Sequence, residues 1–260
     1  MAIIGGTLNS GMNNDYLRVE MPPAAEELPG IGVLNEKSVH HLLKSMIEPD
    51  VSCHEVKLGR YIVDVLREDG IYEIQSRHFY KLINKLTKLL ETHKVTIVYP
   101  VIRTKWIVWV DEDSGRIVRR RKSPKTGRPC HILSELYGIR GLLAHENLSF
   151  IVAGLDAEEY RGAAVNKGPA HTKKGRLWPC IPLTWLDLIS FGGTIERGLG
   201  RVIPELPAEF TSLEFGRGCG MAANYVHRAL GVLRETGLIE CVGKRGARKL
   251  YRLLLASGHM

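Results

Sequence analysis

Three side chains within residues 59–100, GRYIVDVLREDGIYEIQSRHFYKLINKLTKLLETHKVTIVYP, have types and spacing suited to phosphoryl chemistry: Asp64, Glu73 and Gln75. The stretch reads as two strands joined by a tight turn, then a helix, then a third strand. Strand side chains alternate faces, so Glu73 and Gln75 point the same way, and a hairpin brings Asp64 beside them. Two carboxylates and an amide on an otherwise apolar sheet suit a divalent cation. Magnesium takes oxygen ligands, typically one or two carboxylates with phosphate and water completing the shell. Such an ion activates water and stabilises charge on phosphoryl oxygens, which is what phosphodiester hydrolysis needs. A half-exposed sheet face meeting solvent would place the same residues there without chemistry.

The elements that position them follow from pattern. Asn35 is a plausible N-cap for a helix opening with Glu36, whose charge suits the helix dipole. Val39, Leu42, Leu43, Met46 and Ile47 continue it at helical spacing, and Pro49 ends it. HEVKL and RYIVDVL read as strands, and the turn REDG suits a type I′ hairpin leading into IYEIQ. Ser76 is the expected cap of the next helix, whose apolar stripe is Phe79, Leu82, Ile83, Leu86, Leu89 and Leu90, with Lys81, Lys85 and Lys88 on the opposite face. VTIVYP reads as a buried central strand. A second hairpin follows, with its turn at residues 111–115, then an amphipathic helix over 131–144 and a strand LSFIVAGL. Residues 161–178 are basic and glycine-rich and read as a loop, and IPLTWLDLISF shows helical spacing.

The order α-β-β-β-α-β, with Asp64, eight residues, Glu73, one residue and then Gln75, resembles the PD-(D/E)XK nuclease superfamily over about residues 34–110. The resemblance implies an α/β, restriction-endonuclease-like core in which Asp64 and Glu73 bind Mg²⁺ or Mn²⁺ and Glu36 assists from the first helix. Gln75 stands where that family carries a lysine that orients or deprotonates the attacking water. Members are known to have replaced it by Gln or to draw it from the following helix. Lys81 or Lys85 is then the substitute, with Lys85 favoured, two turns into the helix and beside Asn84. If neither lysine reaches the site, the fold binds nucleic acid without cutting it.

The remaining charge has a distribution as well as a sum. The 260-residue chain carries a net charge of +8, which favours polyanionic partners. Residues 115–129 hold seven basic side chains and no acidic one, among them Arg119, Arg120, Arg121 and Lys122. Lysines and arginines that neutralise phosphates give salt-sensitive, sequence-independent binding. A charged edge strand discouraging aggregation is the plainer account. Residues 204–255 read as helix, turn, helix and a two-stranded basic hairpin, and they resemble a winged helix-turn-helix domain. That resemblance implies that Asn224, Tyr225, His227 and Arg228 face the major groove and that Lys244, Arg245, Arg248 and Lys249 contact phosphate or the minor groove. Winged helices also mediate protein contacts, so an interaction module is the alternative.

Bulk properties bound the rest. Five cysteines without a CxxC pair argue against a disulfide framework or a zinc ribbon, and for a reducing compartment. No apolar run approaches the length of a membrane span, and the N-terminus lacks the basic, then apolar pattern of a signal peptide. The expectation is a cytoplasmic protein in three parts: an arm over residues 1–33, a nuclease-like α/β domain over 34–200 with additions after residue 110, and a winged helix over 204–255. Its partner is DNA, with RNA left open, and its activity is metal-dependent phosphodiester hydrolysis. The alternative is an inactive DNA-binding regulator. A homodimer is likewise left open, since many nucleases of this fold cut both strands as dimers but no dimer signature is visible.

Overall fold

The computed structural model describes residues 39–111, 114–163, 177–192 and 195–254. The expected arm, and Glu36 with it, lie outside the described residues. Helix α1, Val39–Ile47, buries Leu43 and Ile47 at the predicted spacing. Strands β1, His54–Leu58, β2, Tyr61–Arg67, and β3, Gly70–Ile74, form an antiparallel meander. The β2–β3 turn differs from the type I′ expectation. Arg67 pairs with Gly70, so the loop is Glu68-Asp69, and neither residue has positive φ. Side chains hold it instead: Asp69 accepts from Arg67 Nε at 3.2 Å and from the Tyr72 hydroxyl at 2.8 Å.

The next helix also departs from its predicted start. Ser76 caps nothing; His78 stands at φ +61, its N–H donating to Glu135 Oε2 at 2.7 Å. A 3-10 turn, Phe79–Leu82, then precedes helix α2, Ile83–Leu89. Strand β4 runs without a break from Val95 to Asp111, joining segments that pattern alone divides at Pro100. The carbonyls of Val98 and Ile102 both point toward the β3 side, and β3 pairs only as far as Val98. Pro100 shares their parity, so its missing N–H falls where the ladder has already ended.

Strand β5, Ile117–Lys122, forms the predicted hairpin with the far half of β4. The helix expected over 131–144 is broken into α3, Ile132–Leu136, between 3-10 turns, with a kink at Ile139. Strand β6, Leu148–Ala163, lies parallel to β4. The IPLTWLDLISF segment belongs to a strand, β7, Leu177–Gly192, antiparallel to β6. An apolar run with a few polar breaks fits either period, and a long unsatisfied β6 edge decides for strand.

Among the described residues, seven strands make one mixed sheet in the order β1-β2-β3-β4-β6-β7, with β5 beside β4. One face packs on α1 through Leu43, Ile47, Val65, Tyr72 and Ile151. The other packs on α2 and α3, and its core continues into the C-terminal elements. These are helix α4, Ile195–Gly200, strand β8, Glu209–Thr211, helices α5, Ser212–Cys219, and α6, Ala223–Glu235, and strands β9, Ile239–Arg245, and β10, Arg248–Leu253. The strands pair in the order β8-β10-β9. Thr211 and Glu214 form a reciprocal capping box on α5, and Gly220 ends that helix at φ +64. The chain is thus α/β, with one large mixed sheet between helical layers. Among the described residues no helix is long and apolar enough to cross a membrane.

The β2–β3 turn makes a checkable demand. Gly70 has φ +145, and a Cβ there would lie 2.6 Å from the Lys94 carbonyl oxygen. Gly70→Ala should cost about 1–3 kcal/mol, read as a lower urea midpoint. An unchanged midpoint would show that this backbone contact is not fixed.

Candidate active site

Where β2 and β3 stop pairing, a side chain takes over from the backbone. Their ladder spans Val65↔Tyr72 to Arg67↔Gly70 and goes no further. The next residue on β2 is Asp64, whose Oδ2 accepts the Ile74 N–H at 2.8 Å. Strand β3 meanwhile stays paired to β4 through Ile74, and the Gln75 N–H donates to the Val98 carbonyl at 2.9 Å. The two strands therefore part at the point where the acids sit. On the α1 side, His40 Nε2 lies 3.3 Å from the same Asp64 oxygen.

Glu73 is only 4% exposed, an unusual place for a carboxylate. Its Oε1 meets Lys85 Nζ of α2 at 2.5 Å, and the same ammonium donates to the Ile62 carbonyl at 2.5 Å. The ammonium approaches this oxygen off the ideal hydrogen-bonding angle, yet at this distance it occupies it. Delaying the α-helix to Ile83 is what brings Lys85 here. It sits in the first turn of α2, not two turns in.

The pKa values of the two carboxylates shift in opposite directions. Burial pushes Glu73 up, and the neighbouring Lys85 only partly offsets it. Burial also works to raise Asp64, but the His40 bond and the Ile74 N–H together hold it below its ordinary value. Beside this pair, Lys44 of α1, itself buried, meets Glu55 Oε1 at 2.7 Å. Glu55 stands at φ +53, a left-handed conformation that a bulky strand residue rarely adopts.

The structure brings Asp64, Glu73 and Lys85 together but not Gln75 or Lys81. The Gln75 amide donates to the Arg77 carbonyl, and Lys81 is exposed. The three lysines expected on one helix face thus separate: Lys88 pairs with Glu91 in solvent and Lys85 turns inward. Glu36 lies outside the described residues. His40, Lys44 and Glu55 complete the surroundings and were not singled out by pattern. The available signal for His40 was its spacing of four from Glu36, one helical turn on the same face. Among the described residues, no group of three or more His, Cys, Asp and Glu is arranged to hold a metal ion.

The basic residues lie elsewhere. All of β5 is exposed, including Arg119, Arg120, Arg121 and Lys122. Arg120 is tied to Glu158 at 2.8 Å. In the C-terminal elements Asn224, Tyr225, His227 and Arg228 are exposed on the first half of α6, while Val226, Ala229, Leu230, Val232 and Leu233 are buried. Lys244, Arg245, Arg248 and Lys249 are exposed on the β9–β10 hairpin, with Arg245 3.0 Å from Glu214. A groove of about 1020 Å³ runs between α5, α6 and this hairpin, and Arg217, Arg234, Arg248 and Lys249 line it. It does not include Asp64 or Glu73.

The chain matches the family described as Domain of unknown function (DUF8091) over residues 37–186, more than half its length, and it belongs to that family. It is also 34% identical over 226 residues to an "Uncharacterized protein" of Treponema pallidum (strain Nichols), covering 85% of this chain and 87% of the relative. No solved structure matches.

The raised pKa of Glu73 has a sign that can be checked. Between its ordinary value of 4.5 and the raised folded value, the folded state binds the extra proton. Lowering pH through that window therefore stabilises the fold. Glu73→Gln lacks this response, so the wild type should gain on the variant as urea unfolding is moved from neutral pH toward 4.5. A constant difference would show that Glu73 is not held in its raised state.

Proposed function

We propose that the chain is a metal-dependent nuclease that hydrolyses phosphodiester bonds in DNA, with its C-terminal elements acting as a winged helix that binds the nucleic acid. One observation carries the reading: Lys85, from the helix after β3, stands on the buried acid Glu73 beside Asp64. The lysine that the strand lacks at Gln75 thus has a counterpart in space. Helix, three antiparallel strands, helix and a parallel fourth strand match the element order expected of a PD-(D/E)XK core. For the C-terminal part, β8, α5, α6 and the β9–β10 hairpin, with β10 between its neighbours, support a winged helix.

The donors present fit a small hard cation. Asp64 and Glu73 are two neighbouring carboxylates, and Mg²⁺ needs only one or two alongside phosphate and water, with Lys85 giving up the Glu73 oxygen that it now holds. Asp64 and Glu73 would hold it, and when bound it would supply charge stabilisation and an acidified water. Lys85 would orient that water or neutralise a non-bridging phosphate oxygen. His40 fixes the Asp64 carboxylate, and the Ile74 N–H keeps that carboxylate ionised. The closed Glu73–Lys85 pair favours a second reading, in which the site is a structural ion pair and the protein binds DNA without cutting it.

Cleavage of duplex, single-stranded and branched DNA with Mg²⁺ or Mn²⁺ separates the two. Wild type should cut; Asp64→Ala and Glu73→Ala should not, and Lys85→Ala should lose about 10²–10⁴ in rate. Gln75→Ala and Lys81→Ala should stay near wild type. No cutting by wild type would leave only the second reading; equal cutting by wild type and variants would remove Asp64, Glu73 and Lys85 from the site of cleavage. Independently, replacing both Arg248 and Lys249 by Ala should weaken DNA binding and reduce the slope of log affinity against log salt by roughly 2. An unchanged slope would place the phosphate contacts elsewhere.

A further inference from the structure

The outer half of the large sheet carries a feature that neither the carboxylates nor the winged helix uses. Beyond the end of β3, strands β5, β4, β6 and β7 continue alone. Register assigns the side chains there to two faces. Trp106, Val108, Arg120, Glu158 and Tyr160 share one; Lys105, Ile107, Trp109, Arg119, Arg121 and Arg161 share the other. The two tryptophans differ in what covers them. Arg120 lies 3.9 Å from the centre of the Trp106 ring and is locked by Glu158, so that ring is occupied. Trp109 is half-buried, and Arg119, Arg121 and Arg161 stand 5.4, 5.4 and 5.9 Å from its centre. These guanidinium groups stand over the indole, each farther from its centre than Arg120 is from that of Trp106.

Their charges are not equally committed. Arg161 and Lys105 share Glu159, at 2.5 and 2.6 Å. Arg119 and Arg121 have no carboxylate partner among the described residues, and both guanidinium groups lie over Trp109. Edge protection accounts for charge on β5, but not for a half-buried indole attended by two guanidinium groups that no described carboxylate pairs. Stacking surface flanked by phosphate-pairing cations is the combination that unpaired nucleotides require.

We propose that Trp109, with Arg119 and Arg121, forms a platform for single-stranded nucleic acid, the base stacking on the indole and its phosphates pairing with the two arginines. The partner is a polymer rather than a mononucleotide if it also reaches the carboxylates. Ile97 lies opposite Glu73, and Trp109 is twelve residues further along β4, about 40 Å away. This rests on the reading of the chain as a nucleic-acid binder and is independent of whether it cuts.

Fluorescence anisotropy of the full chain with labelled oligothymidylate, oligouridylate and a blunt DNA duplex tests it. Trp109→Leu should weaken single-strand binding about tenfold, leave duplex binding unchanged, and be largely rescued by Trp109→Phe. A 5-iodouracil-substituted single strand should crosslink to Trp109. Loss confined to oligothymidylate assigns the platform to DNA, and loss confined to oligouridylate assigns it to RNA. Undiminished single-strand binding by Trp109→Leu, or an equal loss on duplex, overturns the proposal. Should Trp109→Leu fail to fold, Arg119→Gln with Arg121→Gln, both at exposed positions, carries the same comparison. Weakened binding by Trp109→Leu with no cleavage by any variant would remove the nuclease reading and keep the platform; cleavage lost in Asp64→Ala with single-strand binding intact in Trp109→Leu would do the reverse.

Discussion

Strand β4 has neighbours along both edges for most of its length, and each region of interest is placed by one of those pairings. Its first residues pair in parallel with β3, which sets Glu73 against Ile97. Its far half pairs with β5, which sets Arg119 against Trp109. On its other edge β6 accompanies it throughout, and β7 extends that layer. A strand paired on both sides has little freedom to shift register, because a one-residue slip would turn its apolar residues to the wrong face. The acids and the arginines are therefore fixed relative to one another by a single backbone ladder.

Within that frame the costly feature is a carboxylate in an apolar setting. Glu73 is among the few buried charged side chains, and removing it from water disfavours its ionised form. Lys85 partly offsets this, and the remainder appears as the upward pKa shift. Asp64 sits next to it and shifts the other way, because His40 and a backbone N–H stabilise its charge. Neighbouring titratable groups pushed apart by their surroundings are a common property of working sites. The parting of β2 from β3 makes this arrangement possible, since the Ile74 N–H that Asp64 accepts would otherwise belong to the ladder.

The C-terminal elements are not an appendage on a flexible link. Their buried residues, from Phe210 to Tyr251, belong to the same apolar cluster as α2, α3 and the sheet. Arg128 donates to the Gly218 carbonyl at 2.6 Å, and His131 bonds the Cys219 carbonyl at 2.9 Å. At Gly231 a Cβ would come 3.0 Å from the Tyr137 ring, so α6 lies close against the 3-10 turn after α3. Helix α6 thus has buried contacts on its inner side and leaves Asn224, Tyr225, His227 and Arg228 exposed. The basic groove beside it is held in a fixed position relative to the sheet.

The sequence by itself determined the elements whose evidence is local. Alternation in HEVKL, the Asp-Gly turn signal between YIVDVLR and IYEIQ, the helical stripe of α6 and the glycine turn of the β9–β10 hairpin need no distant partner to be read. Asp64 and Glu73 were legible for the same reason, as charged residues interrupting apolar strands. What only the tertiary structure decided depends on neighbours remote in the chain. Strand β7 carries a helix-compatible pattern, and β6 made it a strand. Pro100 reads as a terminus, yet β4 passes through it because no partner needed its N–H. Position in the helix favours Lys85 over Lys81 only slightly; the 3-10 turn after His78, whose N–H bonds Glu135, sets which one faces the acids. His40 reaches Asp64 only when α1 packs on the sheet. Local pattern reports which face a side chain prefers; what lies across from that face is decided by packing.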